Sequence, residues 1–369
     1  MASTFKTFLN NDKTTTRTLL HEAIPITGTI FSGTYGDVGS ETNIKNYSQG
    51  MFQSVYDYPY LSSSANHILD LTVGYAAASS LSGATPQNAV QRKNKINMYN
   101  QMAQVLVGYD KDGNVQRFDI DGNLADGVGK MNEVIFINMA RLLNKDEIKK
   151  GSFNLDLGVG GGFYDATDAV SMATQVRLND ASGSNGYFVN SPSGEYGVLY
   201  ASNLVDTPID TAARTTAAAG LVYYQAGIAV LTASVFLTGS ALGIVPVVAM
   251  DVSETRDINA VLTGSTISGT CDDFRHRIEN LQFNNTTELN STIYFCRLNN
   301  NEFNYSSNPT YLSNSQIVTK TVSTDLPVSY LTTVALYSAD NELLATAKLS
   351  EPLRKDPSNE ITVRVRLDY

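Results

Sequence analysis

Three oxygen-bearing side chains at alternate positions are the strongest candidates for chemistry in this sequence. Asp110, Asp112 and Asn114 match positions one, three and five of a calcium-binding EF-hand loop. Such a loop needs glycine at position six and a bidentate glutamate at position twelve, where this chain has Val115 and Asp121. Asp-Gly pairs, which favour tight hairpin turns, occur twice in the same stretch. We therefore expect turns here and no metal site.

Other reactive residue types lack the sequence partners that their chemistry requires. The glycines at 160–162 are not followed by the Lys-Ser/Thr pair of a phosphate-binding loop, so we expect a glycine-rich turn. Cys271 and Cys296 fit no zinc-ligand or redox spacing, and we expect two reduced thiols. His276 lies off the apolar face of a predicted helix, without a recognisable nucleophile, so we expect it to be solvated.

These observations predict no catalytic residue, no cofactor site and no metal site, and therefore no enzyme activity. A cell-wall hydrolase, the enzyme class we considered, would need a carboxylate pair or a zinc site. The sequence displays a signature for neither.

The charge balance argues against a nucleic-acid partner. The chain has 26 Lys and Arg against 36 Asp and Glu, a net charge of −10, whereas phosphate contacts need clustered basic residues. The densest basic clusters, at 92–95 and 275–277, lie within predicted helices. Because short charge runs usually face water, we expect both clusters to be solvated helix faces.

Hydrophobic periodicity predicts the elements that hold these residues. Residues 87–108 predict a helix, because apolar side chains recur there every three or four positions. Residues 272–281 predict another helix, with Phe274, Ile278 and Leu281 on one face. Apolar runs at 134–138 and 153–159 predict strands.

An uncharged segment leaves two interpretations open. Residues 215–250 contain no charged side chain, and the part from 227 to 250 is long enough to span a bilayer. Its Gly, Ser, Thr and Pro content favours buried strands and a small-residue insertion or core helix. A membrane-interacting protein that uses residues 227–250 remains an alternative.

The C-terminal residues predict an antiparallel β domain. Residues 327–350 predict two strands with a turn at Asp340-Asn341 between them. In residues 361–368, apolar side chains alternate with Thr362, Arg364, Arg366 and Asp368. This alternation predicts a final strand with one buried face and one exposed face.

Two C-terminal stretches carry a family resemblance. Residues 284–311, which include Thr292-Ile-Tyr-Phe-Cys-Arg297, and residues 330–354, which include Val334-Ala-Leu-Tyr337, resemble virion structural proteins of contractile-tailed bacteriophages. The hairpin within 330–354 also resembles the attachment domain at the base of tail fibres. Segments at 145–155 and 197–232 fit the same family.

The resemblance implies a tail or baseplate component of the virion, assembled in the cytoplasm of a host bacterium. Such a component works by protein–protein contacts with other virion proteins, and we expect copies of this chain to form a symmetric oligomer. A head-neck or capsid-associated position is the alternative. No enzymatic residue is implied.

Four residues are the candidate interface. Phe303 and Tyr305 lie among small polar residues, as in a docking loop, although packing into their own core is an equal alternative. Arg364 and Arg366 lie on the polar face of the final strand, where they meet either solvent or a neighbouring chain.

The predicted fold is a β-rich α+β protein of several domains, with antiparallel sheets, a β-sandwich-like C-terminal domain and a few helices. Residues 1–130 form a predicted N-terminal mixed α/β assembly region. Residues 131–283 form a central β-rich domain with glycine-rich turns and the uncharged segment, and residues 284–369 form the C-terminal domain.

Overall fold

The computed structural model of the chain has a β-rich α+β fold, as the sequence predicts. It describes residues 5–31, 34–36, 39–83, 89–124, 127–139, 147–158, 175–181, 186–203, 218–237, 256–306, 312–313, 316–317 and 327–368. The glycine-rich turn predicted at 160–162 lies outside these residues.

Eighteen strands and four helices make up the regular structure of the described residues. The strands are, in chain order, β1 (Lys13–Thr27), β2 (Ile44–Asn46), β3 (Gln53–Tyr56), β4 (His67–Tyr75), β5 (Glu133–Asn138), β6 (Glu147–Ile148), β7 (Asn154–Gly158), β8 (Gln175–Asn179), β9 (Phe188–Ser191), β10 (Gly194–Asn203), β11 (Ala218–Tyr223), β12 (Ile228–Thr232), β13 (Ile278–Leu298), β14 (Leu312–Ser313), β15 (Gln316–Ile317), β16 (Ser329–Tyr337), β17 (Leu343–Lys355) and β18 (Ile361–Asp368). The helices are α1 (Gly28–Phe31), α2 (Ala89–Leu106), α3 (Ile258–Gly264) and α4 (Ile267–Arg275).

The chain divides into two compact units. The central unit is Leu20–Thr287, and the terminal unit combines Met1–Leu19 with Glu288–Tyr369. The predicted boundary at 130/131 does not coincide with this division, because β4 and β5 pair across it within the central unit. The first nineteen residues group with the C-terminal segment rather than with residues 20–130.

The central unit is built on one antiparallel sheet. Its neighbouring strands run in the order β7, β8, β10, β11, β12, β5, β4, β3, β2, and the first part of β13 pairs with β7. Side chains of β5 alternate between two apolar clusters: Val134 and Phe136 join one, and Ile135 and Ile137 join the other. The sheet is therefore buried on both faces.

Helices cover the two faces of this sheet. Helix α2 contributes Tyr99, Ala103 and Leu106 to one cluster, which confirms the helix predicted at 87–108. Helices α3 and α4 contribute to the other cluster, for example with Leu262 and Phe274. Double coverage explains why β4, β5, β7, β11 and β12 are almost wholly buried rather than alternating with water.

The helix predicted at 272–281 is wrong in its second half. Helix α4 ends at Arg275, and Ile278 begins strand β13 opposite Leu157. The register of this strand shifts between Ile278 and Asn280. Because of this bulge, Ile278 and Leu281 are both buried although they are three residues apart, which is also the spacing of a helical face.

The first part of the uncharged segment lies inside the sheet. Strand β12 pairs with β11 on one side and with β5 on the other, and residues 238–250 lie outside the described part. Among the described residues, no helix is both long enough and apolar enough to cross a membrane.

Replacement of Gly74 by alanine is expected to destabilise the central unit. A Cβ at this position of β4 would lie 2.7 Å from the carbonyl oxygen of Lys95 and 2.8 Å from the amide nitrogen of Tyr99, both on α2. Because both atoms are backbone, the helix must shift, at a cost of roughly 1–3 kcal/mol in the free energy of unfolding. Urea denaturation followed by circular dichroism measures this loss.

The matched control is Gly83→Ala. A Cβ at Gly83 meets no atom within 4 Å, so stability should stay close to that of the parent chain. Equal stability of the two variants would contradict the close packing of α2 on β4.

Candidate functional site

The loop that carries Phe303 and Tyr305 is held by a buried lysine of the terminal unit. Lys355 is 0% exposed, and its Nζ donates to the carbonyl oxygen of Asn300 at 3.3 Å and to Oδ1 of Asn304 at 2.7 Å. It also donates to the carbonyl oxygen of its neighbour Asp356 at 2.9 Å. Two of the three acceptors belong to the loop after β13, so one ammonium group ties this loop to the end of β17.

The loop presents both aromatic rings at its surface. Phe303 is 38% exposed and Tyr305 is 56% exposed, so neither is packed into the core of its own unit. Phe303 has a positive φ of 57°, which only a well-anchored bulky residue adopts. The structure thus places these two candidate residues on an exposed loop that Lys355 anchors.

Strand β18 confirms the predicted alternation. Its apolar residues are half-buried, while Thr362, Arg364, Arg366 and Asp368 are exposed. Arg366 donates from Nε to Oδ1 of Asp368 at 2.7 Å and from Nη2 to Oγ of Ser291 at 3.1 Å. Arg366 is therefore engaged within the terminal unit, whereas Arg364 makes no ion pair within the described residues.

Strands β16 and β17 form a two-stranded ribbon, which sequence analysis did not include among the candidate interface residues. In the described residues, each of the two strands pairs only with the other. The ribbon exposes five large apolar side chains: Tyr330, Tyr337, Leu343, Leu344 and Leu353. The apolar runs of this hairpin were visible in the sequence. The sequence does not show which face of each strand is covered, because that depends on other parts of the chain.

The predicted solvated face at 275–277 is wrong. Arg275, His276 and Arg277 are each 0% exposed. Arg275 pairs with Glu41 at 3.2 Å and with Asp272 at 3.1 Å, and its Nε donates to Oε1 of Gln53 at 3.3 Å. Glu41 and Gln53 lie more than two hundred positions from Arg275 in sequence, so local periodicity cannot reveal that they hold the buried guanidinium.

His276 completes this buried polar cluster. Its Nδ1 faces the carbonyl oxygen of Asp272 at 2.7 Å, and its Nε2 faces Oε1 of Glu41 at 2.8 Å. Both ring nitrogens therefore have a hydrogen-bonding partner inside the cluster. Burial raises the pKa of Glu41, but the hydrogen bond from His276 and the charge of Arg275 outweigh it and lower the pKa to about 2.

The second basic cluster is also not a wholly solvated face. Lys93 is exposed, but Lys95 is buried and donates to the carbonyl oxygens of Leu262 and Ser265, both at 2.6 Å. These carbonyls lie at the C-terminal end of α3, where a cation is favoured. Burial lowers the pKa of Lys95 to about 8.

Ser54, Asp70 and His67 lie together on β3 and β4 in an order that differs from a catalytic triad. Ser54 donates from Oγ to Oδ1 of Asp70, and Nε2 of His67 lies 2.6 Å from the same oxygen. In a triad the histidine stands between the hydroxyl and the carboxylate. Here the carboxylate is central and Ser54 is 0% exposed, so the three residues tie the two strands together.

The calcium-like residues form turns. Oδ1 of Asp110 accepts the amide protons of Asp112 and Asn114 at 2.9 and 2.8 Å, as the turn interpretation requires. In the part of the chain that the structure describes, no three His, Cys, Asp or Glu residues are grouped to hold a metal ion.

The same five-residue pattern recurs nine positions later, from Asp119 to Asn123, which sequence analysis missed. Oδ1 of Asp119 accepts the amide proton of Asp121 at 3.2 Å, as Oδ1 of Asp110 accepts that of Asp112, but the amide of Asn123 donates to Oδ1 of Asp121 at 2.9 Å. Nζ of Lys130 donates to the other carboxylate oxygen, Oδ2 of Asp119, at 2.7 Å. Burial raises the pKa of Asp119, and its hydrogen bond with Asp121 raises it further.

No protein-family model, curated protein or solved structure matches this chain.

Glu41 is expected to make folding acid-sensitive. Its pKa is lowered from 4.5 to about 2, so its ionised form stabilises the folded chain above pH 4.5. This contribution is lost as the pH falls from 4.5 towards 2 and amounts to about 3 kcal/mol. In Glu41→Gln, stability at neutral pH should fall by about 3 kcal/mol, because buried cations lose their partner. The loss of unfolding free energy between pH 4.5 and pH 2 should also be smaller in this variant than in the parent chain.

Urea denaturation at several pH values measures both effects. Glu22→Gln is the matched control, since Glu22 is an exposed carboxylate of the central unit, and this variant should retain the parent profile. A parent-like acid profile in Glu41→Gln would refute the role of this carboxylate.

Lys355→Met is expected to loosen the aromatic loop. The variant leaves three oxygen acceptors without their shared donor, at a cost of roughly 2–3 kcal/mol. Hydrogen–deuterium exchange of residues 299–306 should accelerate, while β13 keeps its protection. In Lys348→Met, which removes an exposed lysine of the same strand, exchange in the loop should not change. Unchanged exchange in Lys355→Met would show that the lysine does not anchor the loop.

Proposed function

We propose that this chain is a structural subunit of a bacteriophage virion, a component of the tail or baseplate, and that it works by protein–protein contacts. The observation that carries the proposal is the exposed apolar surface of the terminal unit. This unit includes the ribbon of β16 and β17 and the loop of Phe303 and Tyr305. Surfaces of this kind mark sites that other proteins cover.

The chemistry of the loop supports the same proposal. Rigid aromatic side chains offer a large contact area at a small cost in conformational entropy, and neighbouring Asn and Ser side chains offer adaptable hydrogen bonds. Lys355 holds the loop in place before any partner arrives, so less entropy is lost on binding. Other virion proteins and further copies of this chain are the proposed partners.

The resemblance in residues 284–311 and 330–354 directs the proposal to phage particles. These stretches include most of β13, the aromatic loop and nearly all of the ribbon, and the exposed surface comprises this loop and this ribbon. The proposed surface and the stretches that carry the resemblance therefore coincide.

Analysis of purified virions tests this proposal. We expect mass spectrometry of density-purified, salt-washed particles to detect the chain at a stoichiometry comparable to that of other structural proteins. Immunogold labelling should then place it at the tail or baseplate. Label at the junction of head and tail would favour the head-neck alternative. Absence of the chain from washed particles would refute the proposed function.

A further inference from the structure

A patch of aromatic side chains lies on strands β2 to β4 and their connecting loops, within the central unit. The tyrosine patch, as we name it, consists of Tyr47, Phe52, Tyr56, Tyr60, His67 and Asp70. The ring centroids of Tyr47 and Phe52 lie 4.6 Å apart. The ring of Tyr56 lies 6.3 Å from that of Tyr60 and 5.2 Å from that of His67. Tyr60 is exposed and the other five side chains are half-buried, so the patch reaches solvent.

Asp70 joins the two aromatic groups of the patch. Its Oδ1 lies 2.6 Å from Nε2 of His67, whose ring contacts Tyr56. The same oxygen accepts the hydroxyl proton of Ser54, and Oγ of Ser54 lies 3.2 Å from the hydroxyl of Tyr47. Direct contacts therefore connect the whole patch through one carboxylate.

The second oxygen of Asp70 remains available to a ligand. The Asp70 side chain is 23% exposed, and both of its hydrogen bonds end on Oδ1. Among the described residues, no Lys or Arg forms an ion pair with this carboxylate. The faces of aromatic rings carry partial negative charge, so a carboxylate beside them favours a cation.

Another part of the central unit shows what such a set of groups holds. Nζ of Lys150 lies 4.5 Å from the ring centroid of Tyr187 and 5.7 Å from that of Tyr224, and it forms an ion pair with Glu195. One carboxylate and two tyrosine rings thus hold one ammonium group. The tyrosine patch contains the same types of group, but no basic side chain of the described residues reaches Asp70.

Lys45 shows that the rings of the patch accept a cation. Its Nζ lies 4.9 Å from the ring centroid of Tyr47, yet it makes no ion pair with Asp70. Tyr56 and Tyr60, on the other side of the carboxylate, have no cation over their rings in the described residues. The vacant position therefore lies between Asp70 and these two rings.

The distribution of charge favours a basic partner for this position. The terminal unit contains ten Lys and Arg and ten Asp and Glu, so the central unit carries the whole net charge of −10. Residues 46–91 include Asp57 and Asp70 but neither Lys nor Arg. A negative field attracts basic partners and repels anionic ones.

We propose that the tyrosine patch is a docking site for an arginine side chain of a partner protein. The guanidinium group donates to Oδ2 of Asp70 and stacks on the ring of Tyr56. Arginine suits this site better than lysine, because its planar group stacks on an aromatic ring while its N–H groups bond a carboxylate. The inference extends the proposed function by a second contact surface, on the central unit, and it specifies the chemistry of the partner.

Fluorine NMR of the full-length chain labelled with fluorotyrosine tests this proposal. The probe is the blocked tripeptide acetyl-Gly-Arg-Gly-amide, in which arginine is the only charged group. The signals of Tyr56 and Tyr60, assigned by replacing each with phenylalanine, should shift saturably as the peptide is added. The citrulline counterpart has nearly the same shape without the charge, and it should bind at least about tenfold more weakly.

Two variants separate the contributions of charge and ring. Asp70→Asn retains an acceptor for Ser54 and His67 but removes the charge, and it should raise the dissociation constant at least about fivefold. Tyr56→Leu should raise it about threefold, because an apolar side chain without a ring cannot attract a cation. Asp57→Asn is the matched control. Both oxygens of Asp57 already accept hydrogen bonds from Asn66, at 2.7 and 2.9 Å, so this variant should bind like the parent.

Three results would overturn the proposal: equal binding of the citrulline peptide, parent-like binding by Asp70→Asn, or signal shifts with methyl glucoside but not with the arginine peptide. The last result would indicate a site for neutral sugars. Circular dichroism verifies the fold of each variant. Should Asp70→Asn unfold, the comparison of the two peptides on the parent chain decides.

The two proposals fail separately. Absence of the chain from virions would refute the proposed function and leave arginine binding intact. A chain that is present in virions but does not bind the arginine peptide would refute only the docking site.

Discussion

Burial of the central sheet on both faces is the constraint on which most of this structure depends. It requires strands that are apolar on both sides, and it requires helices that approach the sheet closely. Gly74 permits that approach under α2, where any side chain would meet the helix backbone. Burial on both sides also removes water from every polar group near the sheet. For this reason Lys95, Arg275 and His276 all have acceptors inside the protein.

In contrast to the central sheet, the strands of the terminal unit are not buried on both faces. Its strands β16, β17 and β18 have faces that are exposed or only half-buried, and its buried residues are few. One of them is Lys355, whose ammonium group organises a loop by hydrogen bonds rather than by apolar packing. The central unit therefore obtains its stability from its own core, whereas the terminal unit has apolar surface left for contacts with other chains.

The residues show where sequence reasoning succeeds and where it fails. Helix α2 and strand β18 were predictable, because a single period describes each of them and their burial follows that period. The bulge after Ile278 was not predictable, because it gives the buried residues of a strand the sequence spacing of a helical face. The buried state of His276 depends on Glu41, which is distant in sequence. The exposure of Phe303 was left open, since it depends on a lysine some fifty residues further along.

The composition of the terminal unit also determines when it can form. Its first part, Met1–Leu19, is synthesised before the central unit, but the partner strands lie in Glu288–Tyr369. The central unit can therefore fold during synthesis, while the terminal unit must await a segment almost three hundred residues later. Nascent chains on neighbouring ribosomes consequently lack the apolar ribbon until the whole central unit has been synthesised. The apolar ribbon is therefore exposed only after the central unit has been synthesised. The central unit carries the net negative charge, and repulsion between central units limits aggregation.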